Sequence, residues 1–176
     1  FLDNVRVPKS NLVYELNKGW TVGKRLLQHE RSMIGGIGGG QKTTSLEEYA
    51  HQYVGVDDNG KIADASLRGE ILNHRMNDRA FGLTTRRSVE ESATGNAPGA
   101  TSSMFKYYGT EQNIGKYDLM LSIMGTQSVG WTGDGFEQDE LNTTRAWLRS
   151  KANSIEGGTS EVQLNIIAKR VLGLPD

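Results

Sequence analysis

The spacing of apolar and polar positions divides the chain into a short alternating stretch followed by a series of runs with helical period. Phe1 to Pro8 alternates loosely, with Val5 and Val7 flanking Arg6, and this predicts a β-strand closed by Pro8. No later segment offers that strand a partner, so it is expected to come from the sheet of a larger protein. From Trp20 the period changes. Trp20, Leu27, Ile34 and Ile37 fall near one face, joined by Val22 and Leu26, which predicts an amphipathic helix. Leu46 to Tyr53 either continues this helix or starts another, and VDDNGK at 56–61 reads as a turn.

A second long helix is predicted over roughly 64–93, capped by Asp64, with Leu67, Ile71, Met76, Phe81 and Val89 as core contacts. ATGNAPGATSS then forms a loop. A third helix, roughly 101–129, carries Met104, Tyr107, Ile114, Tyr117, Leu121 and Met124 at steps of three and four, and GWTGDG closes it. A shorter helix around 139–153 contains Trp147 and Leu148. The last runs over about 160–172, with Val162, Ile166, Ile167 and Val171 on one side, Gly173 as stop and Pro175 beyond. The predicted fold is all-α, an up-and-down helical bundle with a short N-terminal strand remnant.

Composition narrows the functions available. The chain has 176 residues, suited to one domain, with an ordinary 36% apolar and 23% charged content. A net charge of −1 gives no reason to expect nucleic acid as a partner, and no apolar run approaches the ~20 residues of a membrane span. FLDNVRVPKS has neither the basic nor the apolar region of a secretion signal. The absence of cysteine excludes disulfides, thiolate catalysis and cysteine metal sites, and fits a cytoplasmic location. Glycine is the outlier. Its 22 residues cluster at 35–40, 130–135 and 157–158, where tight packing or backbone contact with a ligand is expected.

Four features carry candidate chemistry. GGIGGGQKT at 35–43 imitates a phosphate loop, but Gln41 stands between Gly40 and Lys42 and no strand precedes it, so close helix packing is the better reading. His29, His51 and His74 have no partners at metal-ligand spacing. Glu30 and Arg31 lie mid-helix among Leu27, Met33 and Ile34. From the residues alone, a structural ion pair is favoured there over a desolvated general base. SIEGGTSEVQ at 154–163 reads as a helix mouth capped by Thr159 or Ser160, and its two glycines let a ligand approach the backbone.

Three segments, FLDNVRVPKSNLVYELNKGW, LLQHERSM and IEGGTSEVQLNIIAKRVLGLP, occur in an order that resembles the C-terminal half of flavin-dependent acyl-CoA dehydrogenases. The resemblance implies that residues 1–17 are the end of the family's middle β-domain and a linker, and that 18–176 are its C-terminal α-helical domain. It implies FAD as cofactor and oxidation of an acyl-CoA thioester to the trans-2-enoyl-CoA. A carboxylate would take the α-proton, and a backbone N–H would help hold the thioester carbonyl. An electron-transfer flavoprotein would accept the electrons, and the chain would sit in a tetramer or a hetero-oligomer.

Many members place the base directly before Gly-Thr, where this chain has Gly157; Glu156 is one residue early. A second branch carries the base on the first long helix before an arginine, and Glu30 followed by Arg31 matches it. The resemblance therefore implies Glu30 as base, Arg31 toward the substrate and the Gly157 N–H toward the carbonyl. Thr159 and Glu161 match positions lying against the flavin and its adenosine portion. Two positions depart from the family pattern. YAHQYVG lacks the arginine that reaches a neighbouring subunit's FAD, and Ser122 stands where a glutamine often does the same, as in members with unequal subunits or halved sites. The rival reading is a non-catalytic oligomerisation module or a degenerate subunit that supports a partner's active site.

Overall fold

The computed structural model describes residues 1–34, 44–94 and 102–175, and of residues 28–34 the backbone alone. Six α-helices lie within them: α1 (Gly19–Ile34), α2 (Leu46–Tyr53), α3 (Ala65–Ala93), α4 (Ser102–Met124), α5 (Gln138–Lys151) and α6 (Ser160–Ile166). Helix α4 is the axis of the bundle and packs against each of the other five. No helix among the described residues is long and apolar enough to cross a membrane.

The predicted N-terminal strand does not form. Residues 1–8 are exposed and carry no ladder, and Asn4 interrupts any extended run with φ of 51°. A strand is stabilised by pairing, and no described segment supplies a second one. Val56 and Ile62 make one isolated antiparallel bridge, closing the VDDNGK turn. That turn is fastened by Asp57 Oδ1, which accepts from the Asn59 and Lys61 N–H groups at 2.9 Å each.

Local sequence explains where the helices begin. Helix α2 is separate from α1 because Ser45 and Glu48 form a capping box: Ser45 Oγ accepts from Glu48 N–H at 3.1 Å and Glu48 Oε2 from Ser45 N–H at 2.8 Å. Asp64 caps α3 as predicted, accepting from Leu67 N–H at 3.0 Å. Glu137 and Glu140 make a second capping box at the start of α5. The glycine-rich stretch 35–43 and most of the predicted 93–103 loop lie outside the described residues.

The apolar core joins α2, the first turns of α3 and the last turns of α4. It contains Leu46, Tyr49, Ala50, Ile62, Leu67, Ile71, Met120, Ile123 and Met124. Helix α5 attaches mainly through polar side chains. Tyr49 donates to Asp139 at 2.6 Å and shares a 2.7 Å hydrogen bond with Thr143, while Tyr53 donates to Glu140 at 2.7 Å. Burial, and next the bond to Asp139, push the Tyr49 phenol up to about 12.

Several predicted core positions are instead exposed. On α3, Leu67 and Ile71 are buried, but Met76 and Val89 stand in solvent. Phe81 packs between them in sequence, its ring 6.2 Å from that of Phe105 and 5.4 Å from that of Tyr108. The two helices meet closely there: a methyl on Gly109 would lie 3.1 Å from the Phe81 ring. On α1, Trp20 and Leu26 are exposed, because the described residues provide no surface over them. On α4 the buried stripe is 103, 106, 110, 120, 123 and 124, turned by one residue from the predicted one. The stripe follows polar side chains in the first half of α4, which an apolar pattern does not reveal.

The chain end also differs from prediction in detail. Helix α6 keeps α-type bonding only to Ile166, and Ile167–Val171 widens into a π turn. Gly173, with φ of 65°, then ends it.

Candidate functional site

The site is the turn between α5 and α6, seated on the first half of α4. Helix α5 passes into a 3-10 turn at Ala152–Ser154, and the chain reverses through Ile155, Glu156, Gly157 and Gly158. Gly157 and Gly158 have φ of 64° and 96°, a left-handed backbone that side-chain-bearing residues rarely adopt. Thr159 then caps α6, its Oγ accepting from Val162 N–H at 3.2 Å.

Gln163 holds this turn from beneath. It is completely buried, and its Nε2 donates to the Gly157 carbonyl at 2.9 Å, with a longer approach of 3.5 Å to the Gly158 carbonyl. A Cβ on Gly158 would come within 2.7 Å of the same Nε2. A side chain at the second position would therefore displace the Gln163 amide, besides being strained by its φ. Carbonyls bound from below leave the N–H side of the turn free to face elsewhere. The Gly157 N–H makes no hydrogen bond to the described residues.

The two glutamates of the turn have different fates. Glu156 is tied down: Arg149 lies 2.6 Å from its Oε1, and Asn153 Nδ2 donates to its Oε2 at 3.1 Å. Asn153 is in turn held by α4, receiving hydrogen bonds from Thr110 at 3.4 Å and Asn113 at 3.1 Å. Glu161 is exposed in the first turn of α6. Its own N–H, and next the Thr159 hydroxyl, hold its carboxyl below the usual carboxylate range. Ser160 bridges back to α4, donating to Glu111 at 3.1 Å.

Helix α4, against which the 3-10 turn and α6 pack, carries a buried basic side chain. Lys106 of α4 is 2% exposed, and its Nζ has no hydrogen-bond partner among the described residues. Burial lowers its pKa, opposed by Glu111, Glu156 and Glu161. The Ser103 Oγ and Gln163 Oε1 are buried beside the same helix pair and likewise lack partners among the described residues.

The structure brings three of the predicted site residues together: Gly157, Thr159 and Glu161 lie in one turn and its following helix. Glu30 and Arg31 lie on α1, which also packs on α4, and their side chains fall outside the described residues. Lys106 and Gln163 were not anticipated. The signal for Lys106 was the 103, 106, 110 spacing, a helical face that is polar and yet points inward. That for Gln163 was a long amide donor a few residues beyond two glycines whose carbonyls need a partner. The described residues contain no group of three or more metal-ligating side chains.

Comparison with known proteins places this geometry. The family described as acyl-CoA dehydrogenase, C-terminal domain, matches residues 17–172. The acyl-CoA dehydrogenase FadE34 of Mycobacterium tuberculosis is 28% identical over 99% of this chain and 22% of its own length. The acyl-CoA dehydrogenase IpdE1 of the same organism is 30% identical over 99% of this chain and 43% of its own. The chain thus spans less than half the length of these relatives. A solved structure described as the Tcur3481-Tcur3483 steroid ACAD G363A variant superposes with a TM-score of 0.79 at 25% identity. The match covers 100% of this chain and 45% of the other. The ChsE4-ChsE5 complex from Mycobacterium tuberculosis, at 24% identity and a TM-score of 0.73 over 100% of this chain and 46% of the other, shares the fold.

Proposed function

The chain belongs to the acyl-CoA dehydrogenase family, as its C-terminal domain, and from that premise we propose that it contributes catalytic and cofactor-facing groups to FAD-dependent α,β-dehydrogenation of an acyl-CoA thioester. The observation that carries this reading is the Gly157-Gly158 turn. Its left-handed backbone, its carbonyls bound by Gln163 and its Gly157 N–H without a partner among the described residues suit the reception of an acceptor oxygen.

In this reading Glu30 removes the α-proton and Arg31 helps to hold the substrate. The Gly157 N–H donates to the thioester carbonyl, which stabilises the enolate-like charge that builds up as the α-proton leaves. Bound FAD would supply the acceptor for the β-hydrogen as hydride, completing the balance to the trans-2-enoyl-CoA. Thr159 and Glu161 face the cofactor. Residues 1–17 are the end of the middle β-domain and a linker, in keeping with a family match that starts at residue 17. The full-length protein passes its electrons to an electron-transfer flavoprotein and assembles as a tetramer or hetero-oligomer.

Glu156 is not the base in this proposal, since Arg149 and Asn153 engage both of its oxygens. A second reading, a helical module that supports a partner's site, draws on the exposed Trp20, Leu26, Met76 and Val89. The test is flavin bleaching in the full-length protein, with a straight-chain and a steroid acyl-CoA as substrates. Glu30→Gln is expected to slow bleaching by about 10²–10⁴-fold at unchanged flavin content, whereas Glu156→Gln leaves the rate within a few-fold. Loss of bleaching only in Glu156→Gln would move the base into the turn. Absence of bound flavin would favour the module.

A further inference from the structure

Glycine has no side chain to limit its backbone, so whatever restrains Gly157 must come from its neighbours. Behind it, Gln163 donates to the Gly157 carbonyl at 2.9 Å. Ahead of it, the Ile155 and Glu156 N–H groups both donate to the Ala152 carbonyl, at 2.9 and 3.0 Å. The Glu156 side chain is then anchored to α4 through Asn153. Asn153 Nδ2 donates to Glu156 Oε2 at 3.1 Å, and Asn113 Nδ2 of α4 donates to Asn153 Oδ1, also at 3.1 Å. Arg149 closes on the other oxygen, Oε1, at 2.6 Å. The Asn153 backbone is tied to α4 as well, its carbonyl receiving the Thr110 hydroxyl at 3.4 Å.

The order of donors and acceptors in this chain is dictated by its end. A carboxylate only accepts, so Asn153 turns its NH2 to Glu156 and its Oδ1 to α4, where a donor must meet it. Asparagine suits the place because one short side chain carries both a donor and an acceptor. Aspartate there would set two carboxylates against each other. We propose that Asn153 is a positioning residue, whose amide links Asn113 of α4 to Glu156 and so fixes the direction of the Gly157 N–H. The proposal rests on the reading of that N–H as the donor to the thioester carbonyl. In this role Asn153 acts through Glu156 rather than on the substrate. The link depends on the order of donor and acceptor, so reversing that order between 153 and 156 should preserve it.

The test compares full-length Asn153→Ala, Asn153→Asp and the double variant Asn153→Asp/Glu156→Gln with the unmodified protein. Amide exchange and steady-state kinetics are both read. In each single variant, exchange at residues 155 and 156 is expected to rise about tenfold or more, while amides of the core around Ile71 and Met120 stay protected. The kcat should fall about tenfold, with KM within about twofold, because the donor acts on charge that develops in the transition state. In the double variant the new amide at 156 can donate to the new carboxylate at 153, and Asn113 keeps its acceptor. Most of both losses should be recovered.

Unchanged exchange at 155 and 156, or equal acceleration in the core, would overturn the proposal, as would a double variant no better than Asn153→Asp. Faster exchange with kcat unchanged would leave a structural link alone and overturn it too. Should the Asn153 variants not accumulate as folded protein, Asn113→Ala carries the test. It leaves Asn153 in place without its anchor on α4, and exchange at 155 and 156 must rise there for the proposal to stand. Failure of the unmodified protein to be bleached by acyl-CoA would remove the proposed activity, while the exchange data would still decide whether Asn153 holds the turn.

Discussion

The two halves of α4 face inward with opposite chemistry. Toward its C-terminal end Met120, Ile123 and Met124 join the apolar cluster with Leu46, Leu67 and Ile71. Toward its N-terminal end the inward face is Ser103, Lys106 and Thr110, set against the glycine turn and Gln163. The helix is continuous, so the contrast lies in what each half is for. The apolar half supplies stability, which dispersion and water exclusion give without direction. The polar half supplies orientation, which only hydrogen bonds and charges provide, at a desolvation cost that the other half must offset.

The strongest way to break this contrast is to cut the apolar half. Met120→Ala, at a site 2% exposed, should destabilise the fold by about 2–5 kcal/mol. The measurement is the denaturant midpoint, with the slope unchanged. A loss under about 1 kcal/mol would mean the bundle does not depend on this cluster. Next in size is Gln163→Ala in the polar half. It leaves the Gly157 carbonyl without its buried donor and should cost about 1–3 kcal/mol. Exchange at 157–160 should rise more than the global loss explains. Equal change throughout would show that the turn and the core unfold as one unit.

The smallest effect belongs to the outer face of the same helix. Asp118 accepts from Trp147 Nε1 at 2.6 Å and pairs with Lys151 at 2.7 Å, both from α5. Burial pushes its carboxyl up, but the bonds from Lys151 and Trp147 outweigh this and hold it below its ordinary value. Stability from such a depressed acid is fully present above the unfolded value and is lost as pH falls through the folded one. Asp118→Asn should therefore cost no more than about 1 kcal/mol near neutrality. It should also flatten the acid limb of a stability–pH curve. An unchanged acid limb would remove Asp118 from the account.

The same contrast explains what the sequence made legible. The start of α3 was readable because one residue, Asp64, does the work alone; the start of α2 was left open, because the reciprocal bonds of Ser45 and Glu48 were not read from the sequence. The apolar end of α4 was readable at Met124. Its polar end was not, because a periodicity argument assigns Ser103, Lys106 and Thr110 to solvent, whereas all three are buried. The glycine pair was readable as a place where backbone matters, but the amide beneath it was not. The strand over Phe1–Pro8 failed for a different reason. Alternation expresses a preference for a sheet, and pairing depends on strands that the described residues do not contain.

The π turn at Ile167–Val171 has a consequence for chain length. A π turn takes in one residue more than the α-helical ladder requires, so it absorbs a one-residue insertion without displacing what comes before or after. Deleting Ala168 should let the ladder close in α form and leave the Gly157-Gly158 turn and the Gly173 stop where they are. The same deletion inside α4 would rotate every later side chain by about 100°. The end of this chain can change length by one residue; its axis cannot.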